Sequence, residues 1–240
     1  VELPSRVTEG PAAAISALRD AFEAAIELAG VGRDDVLGVG FDTPGPATAH
    51  GVISSRGGTN FGHHEWRGYD FRTALEDELG LPVVYNNDAN AAALYAHHRH
   101  FGAIGAQRSS VSVIVGTGLG GGVIEGGAII KGAAGMAGEL GHVHVPMNGL
   151  LADGQPIPEC NCGFVGDAES VASLTGIYKN LLPYWLTRYP DHELASVELL
   201  AAAKLVRGFG ERGDEMALHI FEQQAMALGR LFTIAANFTR

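Results

Sequence analysis

The chain has 240 residues, 46% of them hydrophobic and 18% charged, which is enough for one large core or two smaller ones and excludes intrinsic disorder. Against 27 acidic side chains stand 16 basic ones, a net charge of −11, and the three lysines (Lys131, Lys179, Lys204) build no basic face, so nucleic acid is not expected as a partner. The longest uncharged stretch, 109–124, is interrupted by glycines and too short to span a membrane.

In chain order, Pro11–Ala29 reads as an amphipathic helix. Pro11 suits a first turn, Ile15, Leu18, Phe22 and Ile26 recur at helical spacing, and Gly30 stops it. Val36–Phe41 is a short apolar strand, broken by Asp42-Thr43-Pro44-Gly45-Pro46. Tyr69–Leu79 is helical and Leu81–Tyr85 is a strand, after which Asn86-Asn87-Asp88-Ala89-Asn90 opens an alanine-rich helix to about His100. This alternation predicts an α/β lobe. From Ser109 the texture changes: Val111–Val115, Val123–Glu125 and Ala128–Lys131 are short strands joined by glycine turns, and His142–Pro146 is another. Beyond Asp167 the pattern is helical, through Tyr178–Leu186, Val197–Val206 and Met216–Phe238. A boundary near Gly102–Arg108 divides the chain into lobes 1–105 and 106–240. Trp66 and Trp185 read as packing residues. His63, His64, His97, His98 and His100 read as solvated.

Glycine is twice as frequent as usual, 34 residues against a share of roughly 7%, and it gathers in clusters. The densest is Gly116-Thr117-Gly118-Leu119-Gly120-Gly121-Gly122, directly after a strand. It satisfies G-x-G-x-x-G, but a strand rather than a helix follows, so the dinucleotide reading fails on context. A glycine hairpin can still hold phosphate oxygens on its amides, helped by the Thr117 hydroxyl; the alternative is a tight structural turn. No P-loop motif is present.

Asp88 lies at a strand-to-helix junction, where a carboxylate caps the helix or, held ionised by the helix dipole, takes a proton from a hydroxyl nucleophile. Asn87 beside it would orient that hydroxyl. Glu139 and His142 are three apart, a surface pair or a polar site. Both cysteines, Cys160 and Cys162, fall two apart beside Gly163, which makes no disulfide framework. With no secretory signal readable, a reducing cytoplasmic setting is the expectation. With His142 the two thiolates suit tetrahedral zinc, the fourth ligand being Asp167 or His144; two metal-free thiols are the alternative.

Together and in this order, these motifs resemble the ROK family of bacterial sugar kinases and sugar-responsive repressors, from about Val36 to Ser173 and weakly to the end. Asn87-Asp88-Ala89-Asn90 resembles the family's N-D-A-N segment, whose aspartate is the catalytic base. Gly116–Gly122 resembles its second phosphate motif, and Gly138-Glu139-Leu140-Gly141-His142 its G-E-x-G-H segment. Cys160 to Glu169 resembles C-x-C-G-x-x-G-C-x-E. Asp167 stands where the family's third zinc cysteine falls, so His142, Cys160, Cys162 and Asp167 form the implied metal set. The opening D-x-G-G-T-K strand has no counterpart before Val1 and the end at Arg240 looks early, so segments are expected on both sides.

The resemblance implies a two-lobed α/β protein of the ribonuclease-H-like, actin-type kinase fold. The implied activity is phosphorylation of a hexose, glucose foremost, by ATP with Mg²⁺, polyphosphate being the other donor in view. Asp88 is the implied base. Asn60, Asn87, Glu139, His142 and Glu169 are implied to hold the sugar, and Gly116, Thr117, Gly118, Gly120 and Gly121 the phosphates. Zn²⁺ would be structural, and the family pattern implies a homodimer or homotetramer. The competing expectations are a sugar-sensing transcriptional repressor and a sugar-binding module without activity.

Overall fold

The structure is a computed structural model and describes residues 1–45, 47–55, 61–133 and 135–238. The chain forms two compact units, Val1–Tyr95 with Ile129–Ala137, and Ala96–Ala128 with Gly138–Arg240.

In the first unit, Pro11 in the first turn and Gly30 in the left-handed region delimit α1 (Pro11–Ala29), matching the sequence expectation. α2 (Phe71–Leu79) starts where Asp70 accepts the Thr73 amide at 3.0 Å and ends at left-handed Gly80. Ala14 and Ile15 of α1 share one buried cluster with Phe71, Leu75 and Leu79 of α2 and with Val83. Trp66 is fully buried there, its indole N–H donating to the Val7 carbonyl at 2.8 Å.

β1 (Val39–Thr43) and β2 (Val83–Asn87) pair in parallel, Val39 opposite Val83 and Thr43 opposite Asn87. Both begin later than their apolar runs, because the ladder opens where the Val39 amide meets the Pro82 carbonyl at 2.9 Å. Both also run on through polar residues, since backbone pairing is indifferent to side-chain polarity. α3 (Asp88–Phe101) follows β2 with no intervening loop, so the end of β2 is the start of a helix. His97, expected to be solvated, is buried instead. Near the end of α3 its ring faces the 3₁₀ turn that follows, with Nδ1 2.7 Å from Ser110 Oγ and Nε2 2.9 Å from the Gly105 carbonyl.

In the second unit, β3 (Ser110–Val115), β4 (Leu119–Glu125) and β5 (Ala128–Ile129) form a sheet in that order, β3 and β4 antiparallel. β4 starts at Leu119 rather than Val123, so Gly120–Gly122 are strand and not turn. Packing calls for glycine here: a Cβ on Gly121 would stand 2.5 Å from Leu140 Cδ1, and one on Gly141 would stand 2.1 Å from the Leu119 carbonyl oxygen. β5 stops short of Lys131, whose ammonium donates to the Tyr85 carbonyl at 2.9 Å within the first unit.

The strand expected over His142–Pro146 does not form. A 3₁₀ turn, Leu140–His142, takes its start, and only His144 bridges, to Asp167. Its partner is the loop before α4, which reaches it through Val145 N–H to Gly166 O (3.1 Å) and Ala168 N–H to Val143 O (3.0 Å) and turns away at left-handed Gly166.

Asp167 caps α4 (Ala168–Ala172) and Ser173 caps α5 (Leu174–Gly176). A π-helical stretch, Ile177–Leu181, precedes α6 (Leu182–Arg188). The single helix expected over Tyr178–Leu186 therefore changes register next to Pro183, which has no amide to donate. α7 (Leu199–Glu211) and α8 (Glu215–Phe238) complete the unit, with Val171, Leu182, Val206, Ile220 and Leu231 in its core. Trp185 is buried, as expected, and donates to Gln223 Oε1 at 2.9 Å. Among the described residues no helix is long and apolar enough to cross a membrane.

Candidate active site

The site residues fall on both units, and each half is described by itself. In the first unit the β2–α3 junction shows which side chain caps the helix. The cap belongs to Asn87, whose Oδ1 accepts the amides of Ala89 (3.0 Å) and Asn90 (3.2 Å). Asp88 is exposed, its Oδ1 accepting only the adjacent Ala89 amide at 2.8 Å. Asp88 thus stands exposed at the first turn of a 14-residue helix, where the helix dipole favours a negative charge. The cap leaves Asn87 its Nδ2 donor for a hydroxyl. Asn60 lies outside the described residues.

Two groups here escaped the sequence reading. Asp42 stands opposite Asn86 in the ladder, and burial first, then the negative charge of Asp88, holds its carboxyl above the ordinary carboxylate range. Lys131 reaches the Tyr85 carbonyl, and burial lowers its ammonium. Only tertiary pairing brings these side chains to the end of β2, so no local motif marks them.

In the second unit, the turn Gly116–Gly118 joins β3 to β4 and closes on itself through Gly116 N–H to Gly118 O at 2.9 Å. Thr117 is exposed at its tip. Gly120 and Gly121 lie behind it in β4, opposite Ile114 and Val113. Glu169, in the first turn of α4, accepts the Leu119 amide on Oε2 at 2.8 Å and the Cys160 thiol on Oε1 at 3.4 Å. A Cβ on Gly118 would come within 2.8 Å of Glu169 Oε2, so a larger residue there would displace the Glu169 carboxylate. Glu139 immediately precedes the Leu140–His142 turn and is exposed.

Around one atom, His142 Nδ1, three acidic groups converge: Asp167 Oδ2 at 3.1 Å, Cys162 Sγ at 3.6 Å and Cys160 Sγ at 3.9 Å. One ring nitrogen has a single proton or a single lone pair and cannot bond all three. Zinc bonds of 2.0–2.3 Å in a tetrahedron separate neighbouring ligand atoms by about 3.3–3.8 Å, close to these spacings. The four ligand atoms all lie within 4.8 Å of one another. His144 joins this loop through its ring, 5.7 Å from that of Phe164, and is not in the cluster. Burial pushes the Cys160 thiol far up, with the nearby Asp167 and Glu169 adding to it. With Nδ1 turned to the cluster, His142, one-third exposed, has Nε2 left for another partner.

A family model described as ROK family matches residues 5–240. The chain belongs to the ROK family. Its fold class is therefore the α/β, ribonuclease-H-like, actin-type ATPase class that the motifs imply. Glucokinase from Halalkalibacterium halodurans is 32% identical over 243 residues, covering 98% of this chain and 68% of that protein. A ROK family glucokinase from Streptomyces griseus, solved in complex with glucose and AMPPNP, aligns with a TM-score of 0.64 at 26% identity, covering 94% of this chain and 68% of that one. A ROK family transcriptional regulator, a homologue of the E. coli MLC protein, aligns with a TM-score of 0.67 at 25% identity, covering 94% and 53%. The chain thus spans between about half and two thirds of the length of these ROK proteins.

A carboxyl whose proton is held more tightly in the folded than in the unfolded chain opposes folding while ionised, and the penalty fades as pH falls through its raised pKa. Asp42→Asn is therefore expected to raise Tm at neutral pH, with the gain shrinking in mild acid. Thermal melts across that range check it; a pH-independent difference would contradict the strain.

Proposed function

We propose that this ROK protein catalyses ATP-dependent phosphorylation of a hexose, glucose foremost, at its primary hydroxyl. The observation that carries the proposal is the Asn87 cap, which leaves the Asp88 carboxylate exposed at a strand end with one oxygen on the adjacent Ala89 amide and the other open. Similarity to glucokinases over 98% of the chain supports it.

In the proposed reaction Asp88 accepts the proton of the sugar's primary hydroxyl as that oxygen attacks the γ-phosphoryl group in line, and ADP departs with the bonding electrons. The Thr117 and Gly118 amides and the Thr117 hydroxyl hold phosphate oxygens, with the Gly116 amide closing the turn and Gly120 and Gly121 forming the strand behind it. Bound with ATP, Mg²⁺ supplies neutralisation of the phosphate charge. Ring hydroxyls fall to Asn60, Asn87 Nδ2, Glu139, His142 Nε2 and Glu169, whose oxygens each keep a second lone pair.

Zn²⁺ fits the His142, Cys160, Cys162 and Asp167 cluster, where it would cross-link the loop that presents His142 to the start of α4. Its role would be structural. A second reading, a sugar-responsive repressor, is favoured by the similarity to the MLC-like regulator.

In a coupled ADP-release assay, Asp88→Asn is expected to lower turnover of glucose about 10²- to 10⁴-fold. Glucose binding measured by calorimetry should change little. Wild-type turnover in the variant would refute Asp88 as base, and glucose binding without turnover in the parent protein would favour the repressor.

The metal assignment has its own test. Asp167→Asn keeps an oxygen for the Ser170 amide, now accepted by Asp167 Oδ1 at 2.8 Å, but removes the anionic ligand. Metal analysis after dialysis should find about one zinc per parent chain and much less in the variant, with Tm of the two apoproteins similar. Equal zinc contents would rule out Asp167 as a ligand.

A further inference from the structure

The Gly116–Gly118 turn is not held by its own hairpin alone. Two consecutive carbonyls in it are anchored from the α4–α5 junction. Gly116 O accepts the Leu174 amide at 3.0 Å, and Thr117 O accepts two donors from Thr175, its amide at 3.1 Å and its Oγ1 hydroxyl at 2.8 Å. The next amide, Leu119 N–H, is taken by Glu169 at 2.8 Å. Thr175 is buried, so its hydroxyl is spent on this contact and not on solvent.

A trans peptide points its N–H away from its C=O. Anchoring the Gly116 carbonyl therefore turns the Thr117 N–H away from the α4–α5 junction, and anchoring the Thr117 carbonyl does the same for Gly118 N–H. Two successive amides directed outward from an exposed turn form a concavity for an anion. The amides of a free glycine turn would sample many directions, and ordering them on binding would cost affinity.

We infer that Thr175 is a positioning residue: its hydroxyl, through the Thr117 carbonyl, sets the Gly118 amide for a nucleotide phosphate, beside the Thr117 amide that the Leu174 N–H sets through the Gly116 carbonyl. The inference rests on the proposed reading of this turn as the phosphate site. Thr175 touches no reacting atom. It lies 58 residues away in sequence from the carbonyl it holds, in a segment with no phosphate motif of its own.

The variants are Thr175→Val, which keeps the shape and the backbone donor but loses the hydroxyl, and Thr175→Ser, which restores it. Calorimetry with Mg²⁺·AMPPNP and, separately, with glucose reads the two ligands on the intact protein. One net hydrogen bond lost from the preorganised turn predicts nucleotide affinity weakened about three- to tenfold in Thr175→Val, glucose affinity unchanged, and recovery in Thr175→Ser. In turnover the same split should show as a raised KM for ATP with an unchanged KM for glucose. Unchanged nucleotide affinity in Thr175→Val overturns the inference, and so does parallel loss for both ligands, which would mark a general folding role. A parent protein that binds glucose but no nucleotide overturns the underlying phosphate reading instead.

Discussion

One buried carboxylate organises the second unit. Asp167 has no exposed surface; through Oδ1 it starts α4 by accepting the Ser170 amide, and through Oδ2 it faces His142 Nδ1. A buried carboxyl without polar partners would be costly, and this one has the first turn of α4 on one side and the His142 ring on the other. Everything downstream inherits its position. α4 carries Glu169, Glu169 holds the Leu119 amide, and the segment after α4 anchors the two carbonyls of the glycine turn. Within the second unit, His142, Glu169 and the glycine turn are thus linked through a few hydrogen bonds above one apolar core.

The first unit poses a different problem, how a carboxylate at a helix start, where aspartate ordinarily serves as a cap, is left available for the proposed reaction. Placing Asn immediately before Asp divides the work. The Asn87 amide oxygen accepts the Ala89 and Asn90 donors, and the Asp88 carboxylate, sharing only the Ala89 amide, keeps its second oxygen open in the favourable field of the helix. Asp42 on the neighbouring strand adds a second negative charge, which makes the end of this small sheet a place where ionised groups are held against an electrostatic cost.

Much of this was legible in the sequence because it is local. The Pro11 and Gly30 signals bounded α1 to the residue, and four motifs in order pointed to the ROK family. What stayed hidden is tertiary. The run Gly120–Gly122 looks like loop, but is strand because it pairs with β3, and it is glycine at 121 because Leu140 and the Ser112 carbonyl stand where a side chain would be. His142–Pro146 has a strand's composition, yet its partner is a loop that bends away after one bridge. His97 sits among polar neighbours in sequence and is buried by Ser110 and Gly105. The division of labour between Asn87 and Asp88 turns on which oxygen reaches the amides, a matter of side-chain geometry that the string Asn-Asp leaves open.

The proposed activity is transfer of a phosphoryl group to a sugar hydroxyl. The most direct test is to incubate this chain with glucose, Mg²⁺ and ATP and to follow the phosphorus by NMR. The account predicts consumption of ATP and a phosphate monoester signal coupled to the two protons of the sugar's primary carbon. Unconsumed ATP beside a protein that still binds glucose would contradict it, and would make the chain a sugar sensor rather than a kinase.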